Sequence, residues 1–461
     1  RHNRLSRICV CRMRAVNSIL HPTPTDLQVN YMPEPLDGMT VIEMTIAVQG
    51  PAAALYLRDM GAQVIKVEPP MGDASRYGRG RQNETPDGTM GPQYVAVNRG
   101  KRSICIDLKT DAGAKVIQSL LATADVFLTN YREAALQSLN LDYAQLHQQF
   151  PNLVYASVNG FGPKGPDADK AMLDGVAAAR GGLVHHTGYP DREPSIAGAI
   201  TIDTSGAMQL ALGVMTALLS RERHGIGQRV QTSALGAALW LQQWELTHVA
   251  MTGANLNRDG NHHPNIRGFY GTYSTSDGGA IMLAQVMDQE GWDSLCIFAD
   301  ALELSLDPRF QTPGQRLGEG ITEEDTIELR GILVTAFAQK TMAQWVDFLY
   351  TQPEIIWERV RDWQEVLKDN QNFANGYLTK INVPGAGETL TVGNLIALSE
   401  TPGSEKGDPP ELGEANEDVL SGLGFSDTEI KNIESHATKT RESVLTELRA
   451  SADLATKYQK P

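Results

Sequence analysis

Apolar positions in this chain come as short dense runs, separated by longer segments with helical spacing. TVIEM at residues 40–44 reads as a buried strand. Gly50-Pro51 then opens a helix over residues 52–60, with Pro51 suited to a first helical position. Gly61 ends that helix, and VIKV at 64–67 is a second strand. A strand, a helix and a strand in close succession form the parallel unit of an α/β sheet. After a polar, Gly-rich stretch at 71–92 the pattern resumes. SICID at 103–107 is a strand, 112–122 a helix and DVFLT at 125–129 a strand; LDY at 141–143 leads into another helix, and LVYASV at 153–158 is a strand. This alternation predicts a Rossmann-like, doubly wound large domain with helices on both faces.

Beyond it lie two strongly apolar helices, at 206–221 and 233–251. Arg221, Arg223 and His224 suit the C-terminal end of the first, and Gly225 stops it. Residues 255–267 are polar and rich in Gly, Asn and His, a loop or linker. From 268 to 350 the rhythm changes to short strands (271–274 and 280–284) followed by helices around 289–303, 321–338 and 342–350. That predicts a smaller α+β domain. Residues 384–414 read as extended, and a final helical stretch begins at Asn416. The expected organisation is a leader or extension at 1–34, the large domain at 35–254, linker and small domain at 255–350, and a return segment completing the large domain at 351–461.

Composition narrows the functional classes. A net charge of -15 disfavours nonspecific nucleic-acid binding, because phosphates require a basic face. No uninterrupted apolar run approaches the roughly 18 residues of a membrane span, so no membrane partner is expected. Cys9 and Cys11 lie in the basic leader, while Cys105 and Cys296 are far apart. A disulfide framework is not expected, and a reducing, cytoplasmic setting follows. Residues 1–31, with five arginines and no acid before Asp26, also fit an organellar transit peptide, but Met32-Pro33-Glu34 is the better natural start.

The candidate chemistry is sparse. The first strand-to-helix turn, TIAVQGPA at 45–52, lacks the G-x-G-x-x-G on which a dinucleotide pyrophosphate rests. The pairs His185-His186 and His262-His263 have no third ligand at helical spacing, so they read as surface or loop histidines and no metal is expected. Asp203 precedes Thr204, Ser205 and an apolar helix. By type it fits a helix cap. A carboxylate held at a helix N-terminus also serves as a covalent nucleophile when an electrophilic carbonyl is placed against it. The two readings coexist.

A series of segments resolves the weighting. They are PLDGMTVIEMT at 35–45, Gly50-Pro51, DMGAQVIKVEPP at 59–70, Gly72-Asp73, Arg76, NRGKRSICIDLK at 98–109, ADVFLTN at 124–130, GFGPKGP at 160–166, RHGIGQRV at 223–230 and DPRF at 307–310. In this order and spacing the chain, from about 35 to 435, resembles the family III CoA-transferases, which include formyl-CoA transferase, the carnitine-CoA transferases and α-methylacyl-CoA racemase. The resemblance implies transfer of CoA from an acyl-CoA to a carboxylic acid through mixed-anhydride and aspartyl-CoA thioester intermediates, with CoA esters as substrates and no metal or redox cofactor. GAITID at 198–203 matches the segment that ends in the family's nucleophile, Asp203 here. Ala47, Val48 and Gln49 match residues that touch CoA and the acyl carbonyl, Gln49 being the candidate oxyanion donor. Ile106, Lys109 and Asn130 match contacts to the adenine and phosphates. The resemblance further implies an interlocked homodimer, which long connections near 235–265 and 350–385 would suit.

The chain departs from the pattern in places. Pro69 and Ser138 stand where some members have arginines that bind CoA phosphates, leaving Arg102 or Lys101 to compensate. The glycine run of the formyl-CoA transferase flap is missing from 262–271, the expected lid. The racemase branch has Gly-His-Asp where this chain has Met172-Leu173-Asp174, and leucine cannot move a proton. The alternatives are a racemase or isomerase on the same scaffold and a non-catalytic CoA-binding protein.

Overall fold

The computed structural model describes residues 32–78, 89–405 and 407–458; the leader up to residue 31 lies outside them. Six parallel strands form one sheet: β1 (Thr40–Met44), β2 (Gln63–Glu68), β3 (Arg102–Cys105), β4 (Val126–Thr129), β5 (Val154–Asn159) and β6 (Arg229–Ser233). Their order is β3-β2-β1-β4-β5-β6, so the chain reverses direction of winding between β1 and β4. Five of these strands coincide with the dense apolar runs. β6, RVQTS, has no such run and is only partly buried, which is why periodicity does not reveal it.

The helices of this part are α1 (Gln49–Asp59), α2 (Pro92–Asn98), α3 (Asp111–Leu121), α4 (Glu133–Ser138), α5 (Tyr143–Gln149), α6 (Asp174–Arg180), α7 (Leu183–His186), α8 (Thr201–His224), α9 (Ala234–Leu241) and α10 (Gln243–Thr252). Successive strand residues point to opposite faces, and both faces are apolar. Ile42, Ile65 and Ile104 pack on one side against Val116, Ile117 and Leu120 of α3. Val41, Val64 and Leu128 pack on the other against Ala53, Ala54 and Leu57 of α1 and Leu210 and Val214 of α8. Each such aliphatic residue removed from water contributes roughly 1.5–3 kcal/mol before entropy is counted. Val419, Leu420 and Ile430 join the first of these cores, so the C-terminal segment returns to the sheet.

Two helices differ from expectation. The helix expected at 206–221 starts at Thr201 and spans 24 residues. It is also long and apolar enough by composition to cross a membrane, although Gly, Ser, Thr and Gln interrupt its apolar runs, and one face lies on the sheet core. The helix expected at 233–251 is two helices that meet at Gln242, whose buried amide donates to Gly181 and Ala238 carbonyls.

A second, antiparallel sheet has the order β10-β9-β8-β7, with β7 (His262–His263), β8 (Ile266–Ser274), β9 (Ala280–Val286) and β10 (Ile355–Arg359). Its edge strand therefore comes from beyond residue 350. Phe269, Tyr273, Trp292, Phe337 and Trp345 are fully buried in its core. The stretch 262–271, expected as a loop, is instead mostly strand paired in this sheet, His262 opposite Gly271.

Candidate functional site

The switch between β1 and β4 opens a crevice at the carboxyl edge of the sheet, where open α/β folds hold ligands. The turn from β1 into α1 forms one wall. Ala47 there adopts φ +66°, a left-handed conformation that costs a non-glycine residue roughly 1–2 kcal/mol. Asn130, just past β4, braces the turn from across the crevice: its Oδ1 accepts from the Ile46 N–H at 3.0 Å and its Nδ2 donates to the Ile46 carbonyl at 2.8 Å. Val48 follows as the N-cap of α1, and no side chain caps the helix. Gln49 is the first residue of α1 and is 5% exposed, yet its Nε2 has no hydrogen-bond partner. Leaving a buried amide donor unpaired costs about 1–3 kcal/mol. An amide in that state is available to a ligand.

The second wall is the N-terminus of α8. Gly206 packs so closely on Gln49 that a Cβ added there would lie 1.9 Å from Gln49 Nε2. Asp203 sits one turn earlier on the same helix face, since residues three apart are neighbours on a helix. The α1–α8 packing thus sets the unpartnered amide against α8 at Gly206, within one helical turn of Asp203.

Asp203 is not the cap of its helix. The cap position is Ile200, and no side chain of the local segment caps it. Asp174 does so from α6: its Oδ1 accepts the N–H groups of Ile202 and Asp203 at 2.8 and 3.0 Å. Burial, and secondarily the Asp174 charge, push the Asp203 carboxyl up to about 6. Beside Asp174 lies a cavity of about 200 Å³, walled also by Ala178, Leu183, Val184, Ile196 and Ile200.

Of the residues singled out in the sequence, Ala47, Val48, Gln49 and Asn130 converge on the switch point, and Asp203 lies on α8 three residues before Gly206, which packs on Gln49. Ile106, Lys109 and Arg102 are not gathered there. Ile106 is 1% exposed in the sheet core, and its N–H donates to the Glu68 carbonyl. Lys109 is exposed on the loop that follows β3, two strands from β1. Arg102 lies within β3, with its guanidinium on Asp418. Lys101 is fully buried and pairs with Glu43 at 2.8 Å. Of the histidine pairs, His185 and His186 end α7 and His263 stacks on Trp244; among the described residues no group of three or more His, Cys, Asp or Glu is placed to hold a metal.

Two features escaped the sequence reading. The Asp174 contact joins residues 29 apart in sequence across two helices, and no local pattern reports it. The second is a buried charge cluster beneath the turn, made of Glu43, Lys66, Asp73 and Lys101. Its signal was available: charged residues inside otherwise apolar strands survive burial only when paired.

Comparison with known proteins gives a consistent picture. Residues 36–416 match the family model described as CoA-transferase family III. The chain is 32% identical over 393 residues to succinyl-CoA–D-citramalate CoA-transferase of Chloroflexus aurantiacus, covering 85% of this chain and 94% of that one. It is 28% identical over 403 residues to cinnamoyl-CoA:phenyllactate CoA-transferase of Clostridium sporogenes, covering 86% and 95%. Among solved structures, a CAIB/BAIF family protein from Brucella suis superposes with a TM-score of 0.74 at 29% identity, over 85% of this chain and 100% of that one.

Proposed function

The chain belongs to CoA-transferase family III and is a CoA-transferase; from that premise we propose how it moves CoA from an acyl-CoA thioester to a carboxylic acid. An Asp203 carboxylate oxygen attacks the donor's thioester carbonyl. The C–S bond breaks, giving a mixed anhydride and CoA thiolate. The thiolate then attacks the aspartyl carbonyl of the anhydride and frees the donor acid, leaving an aspartyl-CoA thioester. The acceptor carboxylate attacks that aspartyl carbonyl, expelling thiolate and forming a second anhydride. Attack of the thiolate on the acceptor's acyl carbon completes the new thioester and restores the Asp203 carboxylate. The thioester's energy is conserved at every step, and no redox change occurs.

The observation that carries this reading is the packing of the unpartnered Gln49 amide on Gly206, three residues along α8 from Asp203. The amide would donate to the oxyanion of each tetrahedral intermediate, where removing a single donor costs on the order of 10²–10³ in rate. Leu173, 74% exposed beside Asp174, offers no proton-moving group, which favours transfer over racemisation. The CoA moiety would run along the carboxyl edge from the switch point, its adenosine end towards Lys109.

A second copy of the chain is part of the proposal. Met208, Leu212 and Leu219 of α8, Trp240 of α9 and Trp244 and Met251 of α10 are 50–82% exposed. This apolar face exceeds the scattered exposure ordinary for a monomer, and a homodimer would cover it. The deciding experiment is a donor-by-acceptor matrix read by mass spectrometry of the CoA products. Acceptor-dependent appearance of a new CoA ester is expected. Loss of donor without any acceptor dependence would sink the reading.

A further inference from the structure

The turn that carries Val48 and Gln49 rests on charges the transfer reaction does not touch. Lys66, in the middle of β2, is fully buried, and its Nζ lies 3.1 Å from Glu43 Oε1, 3.1 Å from Asp73 Oδ2 and 3.0 Å from the Thr45 carbonyl. Asp73 is 1% exposed. Its other oxygen, Oδ1, accepts the Ala47 N–H at 3.3 Å and is fixed by the Ser75 N–H and hydroxyl at 3.0 and 2.8 Å. Glu43 in turn holds Lys66, Lys101 and the Thr45 hydroxyl. From Lys66 and Asp73 two bonds thus reach the backbone of one short turn, at Thr45 and at the strained Ala47.

Stability does not explain this cluster. Buried ion pairs recover their desolvation cost only with good geometry, and apolar replacements of similar volume are often neutral or stabilising. A left-handed alanine persists only where its surroundings over-determine it. We infer that Asp73, oriented by Lys66, is a positioning residue for the transfer reaction: it holds Ala47 in the left-handed conformation and so aims the Gln49 amide at the reacting carbonyl. If the bond from Asp73 is cut, Ala47 relaxes to negative φ and the start of α1 shifts with it. Glycine adopts that φ without penalty, so glycine at 47 should make the brace dispensable.

The inference rests on the CoA-transferase reading, and its test separates the two. Wild type, Asp73→Ala and the double variant Asp73→Ala/Ala47→Gly are compared by kcat, KM for the acyl-CoA and thermal midpoint. Expected is a fall in kcat of tenfold or more in Asp73→Ala, with KM within threefold, and recovery in the double variant to within threefold of wild type. A purely structural role would move the midpoint, and glycine would not restore kcat. If Asp73→Ala does not fold, Lys66→Met/Asp73→Leu removes the ion pair whole together with the acceptor for the Ala47 N–H, and carries the same two comparisons. An unchanged kcat in the folded single variant, or a double variant no better than the single, overturns the inference. Absence of exchange in wild type would strike the function itself instead.

Discussion

The carboxylate of Asp174 caps the helix that carries Asp203. It accepts the Asp203 N–H at 3.0 Å and the Ile202 N–H at 2.8 Å, while its charge adds to the burial that lifts the Asp203 carboxyl to about 6. One residue thus fixes the position of the other and adds to the rise that burial imposes on its carboxyl. A carboxylate that is partly desolvated is poorly satisfied by water and readier to attack a carbonyl.

The pH dependence follows from that pair. Protonated Asp203 cannot attack, so kcat/KM should fall below about pH 6 with slope one. Asp174→Asn keeps an oxygen for the two N–H groups and removes the charge. Its acid limb should move to lower pH, with the fold intact, because the Asp203 carboxylate loses its like-charged neighbour. An unmoved limb in a pH–rate profile would show that Asp174 acts only as a cap. Asp174→Ala loses the cap as well and should cost about 0.5–2 kcal/mol of stability.

Gly206→Ala tests the packing that presents the Gln49 amide. The added methyl would meet Gln49 Nε2 at 1.9 Å, and the amide at the end of a flexible side chain is what must move. Alanine inside a helix gains about 0.5–1 kcal/mol over glycine, so the thermal midpoint should hold or rise. Exchange should nonetheless fall by roughly 10²-fold, the scale of one lost oxyanion donor. A stable protein with full activity would remove Gln49 from the mechanism.

Lys109 tests the proposed path of the CoA. It lies far from Asp203 along the sheet edge, and a remote contact acts equally in ground and transition states. Lys109→Ala should therefore raise KM for the acyl-CoA several-fold with kcat nearly unchanged. A loss confined to kcat in steady-state kinetics would contradict the placement.

The legible parts of this fold are those written locally. Dense apolar runs such as VFL at 126–128 marked five of the six parallel strands, and Pro51 after Gly50 marked the start of α1 closely. What was not legible depends on partners distant in sequence. The first turn of α8 is helical because Asp174 supplies acceptors from another helix, so residues that look like a cap, Asp203 to Ser205, lie inside the helix. Residues 262–271 read as a polar loop because β7 is only two residues long and its pairing with β8 is irregular, leaving no alternating apolar run to see. At the site, the family resemblance singled out Asp203 and Gln49, where residue type alone favoured a helix cap at 203. Only the fold shows that Gln49 packs on Gly206, one helical turn from Asp203, and only the backbone shows that Ala47 is strained.

Asp203→Asn decides between nucleophile and structural residue, because the two roles predict opposite signs for stability. In the native state the carboxyl rises from 3.8 to about 6, a difference of roughly 3 kcal/mol against the charged form. A raised carboxyl binds its proton more readily folded than unfolded, so stability is lost as pH climbs from about 4 to 6. Asparagine has no charge to desolvate. The variant should therefore be more stable than wild type at pH 8, with the advantage vanishing below about pH 4, where both chains are neutral at this position. Its exchange activity should fall by several orders of magnitude, since the covalent route closes. Wild type mixed with an acyl-CoA and then hydroxylamine should carry a modification at residue 203, and the variant should not. A variant that is less stable at pH 8 and retains more than about a tenth of the activity, a barrier change under roughly 1.4 kcal/mol, would leave Asp203 as scaffold and return the chemistry to another residue.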